Sequence, residues 1–111
     1  MATPTRTAHQ IPGAAGPIRI EVCSAARAAQ VPAVVFRENV PPSFTDRVAR
    51  AGLSAVRFTP SGSTTEIETA DQAAVVAALE AGALGISKPS SIAFVPEDSD
   101  ELIARLCREL R

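Results

Sequence analysis

Tyrosine and tryptophan are absent from this 111-residue chain, and its only aromatics are four phenylalanines. That removes most stacking platforms for single-stranded nucleic acid and most of the aromatic anchors that dominate tight interfaces. Neither charge sign is in excess: 11 Lys and Arg face 12 Asp and Glu, for a net charge of −1. The balance argues against nucleic acid or an anionic membrane as a partner. Two cysteines, Cys23 and Cys107, are too few for a disulfide framework and have no metal-site spacing. There is one histidine, His9. No apolar run approaches membrane-spanning length, and the first residues have no apolar signal-peptide core. The expectation is a cytoplasmic protein with reduced thiols, needing no metal and no cofactor.

What the chain does have is small aliphatic residues. Ala, Val, Leu and Ile supply most of its 46% hydrophobic content. Such a core implies close approach of helices and strands. The length predicts one domain. Residues 1–16 are rich in Ala, Thr, Pro and Gly without periodicity, which predicts a flexible tail that includes His9. Residues 17–111 are then a single globular domain of helices and strands.

Ile18 to Cys23 alternates apolar and polar, as a strand does. Ser24 then caps a short Ala-rich helix that ends by Pro32. Ala33 to Phe36 reads as a buried strand. Pro41-Pro42-Ser43 opens a helix through Ala51, stopped by Gly52. Leu53 to Phe58 alternates again, and Pro60 to Ser63 is a turn. Thr64 to Thr69 (TTEIET) reads as a polar edge strand, with Asp71 capping the Ala-rich helix that follows. Val75, Val76 and Leu79 form the narrow apolar face of that helix, and Gly82 and Gly85 close it. Ser91 to Val95 is a further strand. Asp98-x-x-Glu101 opens a last helix, whose stripe contains Leu102, Ile103, Leu106, Cys107 and Leu110.

The predicted order is β-α-β-α-β-β-α-β-α. The short turn at Gly62 makes the flanking strands an antiparallel pair. The fold class is therefore α+β, a mixed sheet with helices packed mainly on one face.

Few residues suggest chemistry. Cys23, at a strand end before a helix, is the one catalytic candidate, since helix-terminal N–H groups lower a thiol pKa. That placement resembles phosphocysteine transferase domains and low-molecular-weight tyrosine phosphatases, and implies phosphotransfer or thiol chemistry. The phosphatase Cys-x5-Arg loop would need arginine at position 29, which is Ala29. Cys107, on the last apolar stripe, reads as core. Glu66 and Glu68 read as a solvated strand face, and Glu97, Asp98, Asp100 and Glu101 as helix-start acids. The hydroxyl-rich loop from Thr59 to Thr65 could cradle a carboxylate or phosphate, but has neither a P-loop nor a dinucleotide fingerprint.

Two further resemblances reach wider. The order AVVFRENVPPSFTDRVARAG, LSAVRFTPSGSTTEIET, DQAAVVAALEAGA, SSIAFVP resembles an ACT domain, a ferredoxin-like βαββαβ regulatory module. It implies a non-enzymatic unit that binds a small metabolite or a partner subunit. Its ligand residues would be Asn39, Ser43, Ser61, Ser63 and Thr64. The Thr64–Thr69 edge would let copies pair into an oligomer. The string LEAGALGISKPSS is similar to the end of response-regulator receiver domains. It implies a receiver-like scaffold with Lys88 in the place of the phosphate-contacting lysine, although no acceptor aspartate follows AVVF.

Overall fold

Residues 4–25, 30–37, 40–95, 105 and 108 are described by a computed structural model. Five strands and two helices follow one another: β1 (Thr5–Pro12), β2 (Pro17–Ser24), β3 (Ala33–Arg37), α1 (Pro42–Arg50), β4 (Ser54–Thr59), α2 (Thr65–Glu80) and β5 (Ile92–Val95). The strands form one sheet in the order β1-β2-β4-β3-β5. β1 pairs antiparallel with β2, and β2 antiparallel with β4. β3 runs parallel to both β4 and β5. The expected α+β class with a mixed sheet holds.

The one-sided, ferredoxin-like layout does not. Strand alternation sends Ile18, Ile20 and Val22 of β2, Ala33 and Val35 of β3, and Val56 and Phe58 of β4 to one face. There they pack with Val75 and Leu79 of α2. Cys23, Val34, Phe36, Ala55 and Val95 go to the other face and pack with Val48 and Ala49 of α1. The two helices thus lie on opposite sides of the sheet. Connection handedness accounts for this. The chain steps from β3 sideways to β4, then returns across β3 to β5. Right-handed crossovers in opposite directions must place their helices on opposite faces. Strands covered on both sides read as unbroken apolar runs, which is why β3 is AVVF.

The Thr64–Thr69 expectation is overturned at its first residue. Thr64 is the N-cap of α2, its hydroxyl accepting from the Ile67 N–H at 3.3 Å. Glu66 and Glu68 then occupy the first turn, where carboxylates favour the positive end of the helix dipole. The segment therefore offers no strand edge for pairing copies, and no antiparallel pair forms at Gly62. Asp71 lies inside the helix and is fully buried. It caps nothing.

Residues 5–12, read from the sequence as part of a flexible tail, form the edge strand β1. Its register runs unbroken from Thr5 opposite Ser24 to Pro12 opposite Pro17. Arg6 fastens it to α1, reaching Asp46 at 2.6 Å, the Pro42 carbonyl at 3.0 Å and the Thr45 hydroxyl at 3.1 Å, and also meets Glu21 of β2 at 2.7 Å. Gly52, at φ +90°, ends the turn after α1 in a conformation that favours glycine. The Ala-rich helix expected after Ser24 and the helix expected from Asp98, with Cys107, fall largely outside the described residues. No helix among the described residues is long and apolar enough to cross a membrane.

Candidate functional site

Parallel sheets bind ligands beyond the carboxyl ends of their strands. The crevice opens where neighbouring strands send their connections to opposite faces. Here that place is the junction of β3 and β4, since β3 leads to α1 and β4 to α2. A cleft of about 270 Å³ lies at this end of the sheet. Val35, Phe36 and Arg37 of β3, Phe58 of β4, and Phe94 and Val95 of β5 line its strand side. Thr65, Glu68, Thr69 and Gln72 contribute from α2. Arg37 bridges the two sides, its Nη2 donating to Glu68 Oε1 at 2.5 Å. The Arg37 Nε is shielded from solvent and has no hydrogen-bond partner.

The floor and the rim of the cleft come from different sequence signals. Phe36 and Val95 end short buried strands. Glu68 and Gln72 are one turn apart on α2, so both face β3 and β5. The apolar strand ends were visible in the sequence. Arg37 was not singled out, because a lone arginine after an apolar run says nothing until a helix brings a carboxylate to it.

The residues expected to bind ligand are only partly gathered here. Thr64 caps α2 at the edge of this region, and Ser63 beside it is exposed. Ser43 is exposed on the first turn of α1. Asn39 lies outside the described residues. Ser61 is spent internally: its hydroxyl donates to Asp71 Oδ2 at 2.7 Å and accepts the Ala15 N–H at 3.0 Å. The Ser61 N–H also donates to Asp71 Oδ2, at 2.5 Å, and the Ala14 N–H donates to Oδ1 at 2.9 Å. Burial raises the Asp71 carboxyl pKa, but these bonds to Ala14 and Ser61 outweigh it and hold it below the usual range. Asp71 thereby ties the β1–β2 turn and the β4–α2 loop to α2, on the same side of the sheet as the cleft.

Cys23 is buried in the α1-side core. Burial pushes its thiol pKa up; Arg6 opposes this, while Asp46, 3.7 Å from Sγ, adds to it. The thiol is therefore protonated at neutral pH and a poor nucleophile. Lys88 is exposed in the irregular stretch before β5. Among the described residues no group of three or more His, Cys, Asp and Glu could hold a metal ion.

The chain matches no family model and no curated protein sequence. Its fold is similar to solved esterases. An esterase of Pyrobaculum calidifontis superposes with a TM-score of 0.66 at 18% identity, covering 93% of this chain and 38% of that one. A cold-adapted esterase from an Arctic intertidal metagenomic library gives 0.66 at 13% identity, covering 96% and 53%. A Xanthomonas campestris protein, described as a member of the α/β serine hydrolases without a lid, gives 0.54 at 21% identity, covering 80% and 50%. The chain thus spans between about two-fifths and just over half of these proteins. At such identities the likeness establishes the fold alone. It is a likeness to α/β-hydrolase folds, and it overturns the ACT-like and receiver-like resemblances together with the non-enzymatic regulatory module they implied. The misread strand at Thr64–Thr69 was the source of the error, since it created the ββ step of that module.

The sequence departs from the usual marks of a serine hydrolase. Such enzymes carry a nucleophile in G-x-S-x-G on a sharp strand-to-helix turn, and a glycine-rich loop that supplies an oxyanion N–H. No G-x-S-x-G occurs in this chain. The segment after β5 reads Pro96-Glu97-Asp98-Ser99-Asp100-Glu101, with one serine and a glutamate at each glycine place. The segment after β3, Glu38-Asn39-Val40-Pro41, has no glycine.

Proposed function

We propose that this chain is the strand-and-helix unit of an α/β-hydrolase-type protein that acts on carboxylic esters, with its substrate held at the carboxyl ends of β3, β4 and β5. The observation that carries this reading is the mixed sheet order with helices on opposite faces and a cleft at the β3–β4 junction. The esterases to which the fold is similar support it. Ser99 is the candidate nucleophile, as the one hydroxyl in the segment that follows β5 in sequence. Glutamates at both glycine places would put negative charge near a developing oxyanion. Loss of one oxyanion donor alone costs about 10²–10³ in rate, so turnover is expected to be slow.

The test is hydrolysis of p-nitrophenyl acetate and butyrate by the purified protein beside Ser99→Ala, with fluorophosphonate labelling located by mass spectrometry. A label on Ser99, and turnover lost in Ser99→Ala, support the reading. Equal rates in both proteins and no label at Ser99 overturn it.

A further inference from the structure

Two of the four phenylalanines in this aromatic-poor chain, Phe58 and Phe94, line a single cleft from the α2 side of the sheet. Phe94 is also the one large hydrophobic residue that is exposed among those described, at 39%. The cleft joins an apolar, partly aromatic strand side to a polar helix side of Thr65, Glu68, Thr69 and Gln72, a mixture that suits a small molecule with an apolar body and a polar head. Its size limits the occupant. A cavity of about 150 Å³ holds benzene, so 270 Å³ takes one ring, or a chain of about six carbons, with a small polar head.

Arg37 sets the nature of that head. A guanidinium has five N–H donors and no acceptor, and among the described residues the side-chain partner of Arg37 is Glu68, through Nη2. Donors are left over beside an apolar floor, which suits a carboxylate. Glu68 is the group such a ligand has to compete with. It is only partly buried, with 28% of its side chain exposed, so it can yield to a competing anion.

We propose that this cleft binds short, apolar monocarboxylates, with the hydrocarbon body on Phe58 and Phe94 and the carboxylate on Arg37. The proposal deepens the hydrolase reading, since such acids are the products of the esters it names: esters of short or single-ring acids. Binding itself stands without that reading.

The test is amide-resolved NMR titration with phenylacetate and with its neutral counterpart 2-phenylethanol. Phenylacetate should shift the amides at the end of β3 and in the first two turns of α2, and bind more tightly than the alcohol. Glu68→Gln, a change on a partly exposed helix turn, removes the internal competitor. It should tighten phenylacetate about fivefold, the upper worth of a partly exposed ion pair, and leave the alcohol unchanged. Phe94→Ser should weaken both. Equal affinity for acid and alcohol in wild type and Glu68→Gln overturns the proposal. So do shifts that map to the separate groove near Arg19 and Arg57, or none at tens of millimolar. Carboxylate binding without ester turnover retains this site and removes the hydrolase reading; turnover on Ser99 without carboxylate binding does the reverse.

Discussion

Ser61 meets Asp71 twice, through its backbone N–H at 2.5 Å and its hydroxyl at 2.7 Å on the same carboxylate oxygen. The other oxygen accepts the Ala14 N–H at 2.9 Å. A fully buried carboxylate, with no cation beside it among the described residues, is thereby stabilised by dipoles from two loops. Asp71→Ala should cost about 2–3 kcal/mol, because it leaves buried donors unpaired. Urea unfolding of the two proteins checks this; a cost below about 0.5 kcal/mol would show that water replaces the carboxylate without loss.

The same carboxyl makes stability depend on acid. Its folded pKa lies below the unfolded value of about 3.9, so the unfolded chain binds the proton first as pH falls. The stabilisation is complete above that unfolded value and is lost as pH drops through the folded one. Melting temperatures measured from pH 6 downward should fall more steeply in wild type than in Asp71→Asn. Parallel curves would contradict the assignment.

Gly13 permits the approach that Asp71 needs. A Cβ there would sit 2.6 Å from the Gly16 carbonyl oxygen, 2.6 Å from Ile18 Cγ1 and 2.9 Å from Asp71 Oδ1. Two of these neighbours are backbone or carboxylate that cannot simply swing aside. Gly13→Ala should destabilise by about 1–3 kcal/mol, as overpacking does. Hydrogen exchange should quicken at Ala14 and Ala15 before the rest of the sheet. Unchanged exchange at both amides would mean that the turn absorbs the methyl.

Cys23 should resist alkylation. Iodoacetamide at neutral pH is expected to modify it slowly in the folded protein and readily after unfolding, because the thiol is both buried and protonated. Peptide mapping separates it from Cys107. Fast folded-state labelling at Cys23 would restore thiol chemistry as a candidate.

Arg6 links β1 to α1 through three contacts and to Glu21 of β2 through a fourth, though its side chain remains one-third exposed. Solvent screening limits such a group, so Arg6→Ala should cost about 1 kcal/mol. Its mark is local: proteolysis should then cut first within residues 4–12. Cleavage elsewhere with β1 intact would show that pairing with β2 alone holds the strand.

Much of the fold was legible in the residues. The buried strands at Ile18–Cys23, Ala33–Phe36, Leu53–Phe58 and Ser91–Val95 announced themselves by alternation or apolar runs, and Pro42 and Gly52 bracketed α1 correctly. Two segments misled for physical reasons. TTEIET alternates because Ile67 falls between two glutamates, and period two hid the better signal, Thr64 as a cap followed by acids in the first turn. Thr5–Pro12 is a strand with only Ile11 partly packed on the core, so it lacks the apolar period by which strands are found. Its order comes from partners, through the β2 register and the Arg6 contacts. The cleft was out of reach because Arg37 and Glu68 lie 31 positions apart and meet only once α2 is a helix.

The sheet order also dictates when the protein can fold as it is made. β2 and β3 follow each other in the chain but do not pair, because β4 lies between them. β1 and β2 by themselves make only a hairpin, which is marginal in water. β3 then has no strand to pair with until residues 54–59 emerge. A ribosome pausing before that point would leave apolar Ala33–Phe36 open to chaperones or to other chains, and one pausing after β4 would present a sheet already closed around its central strand.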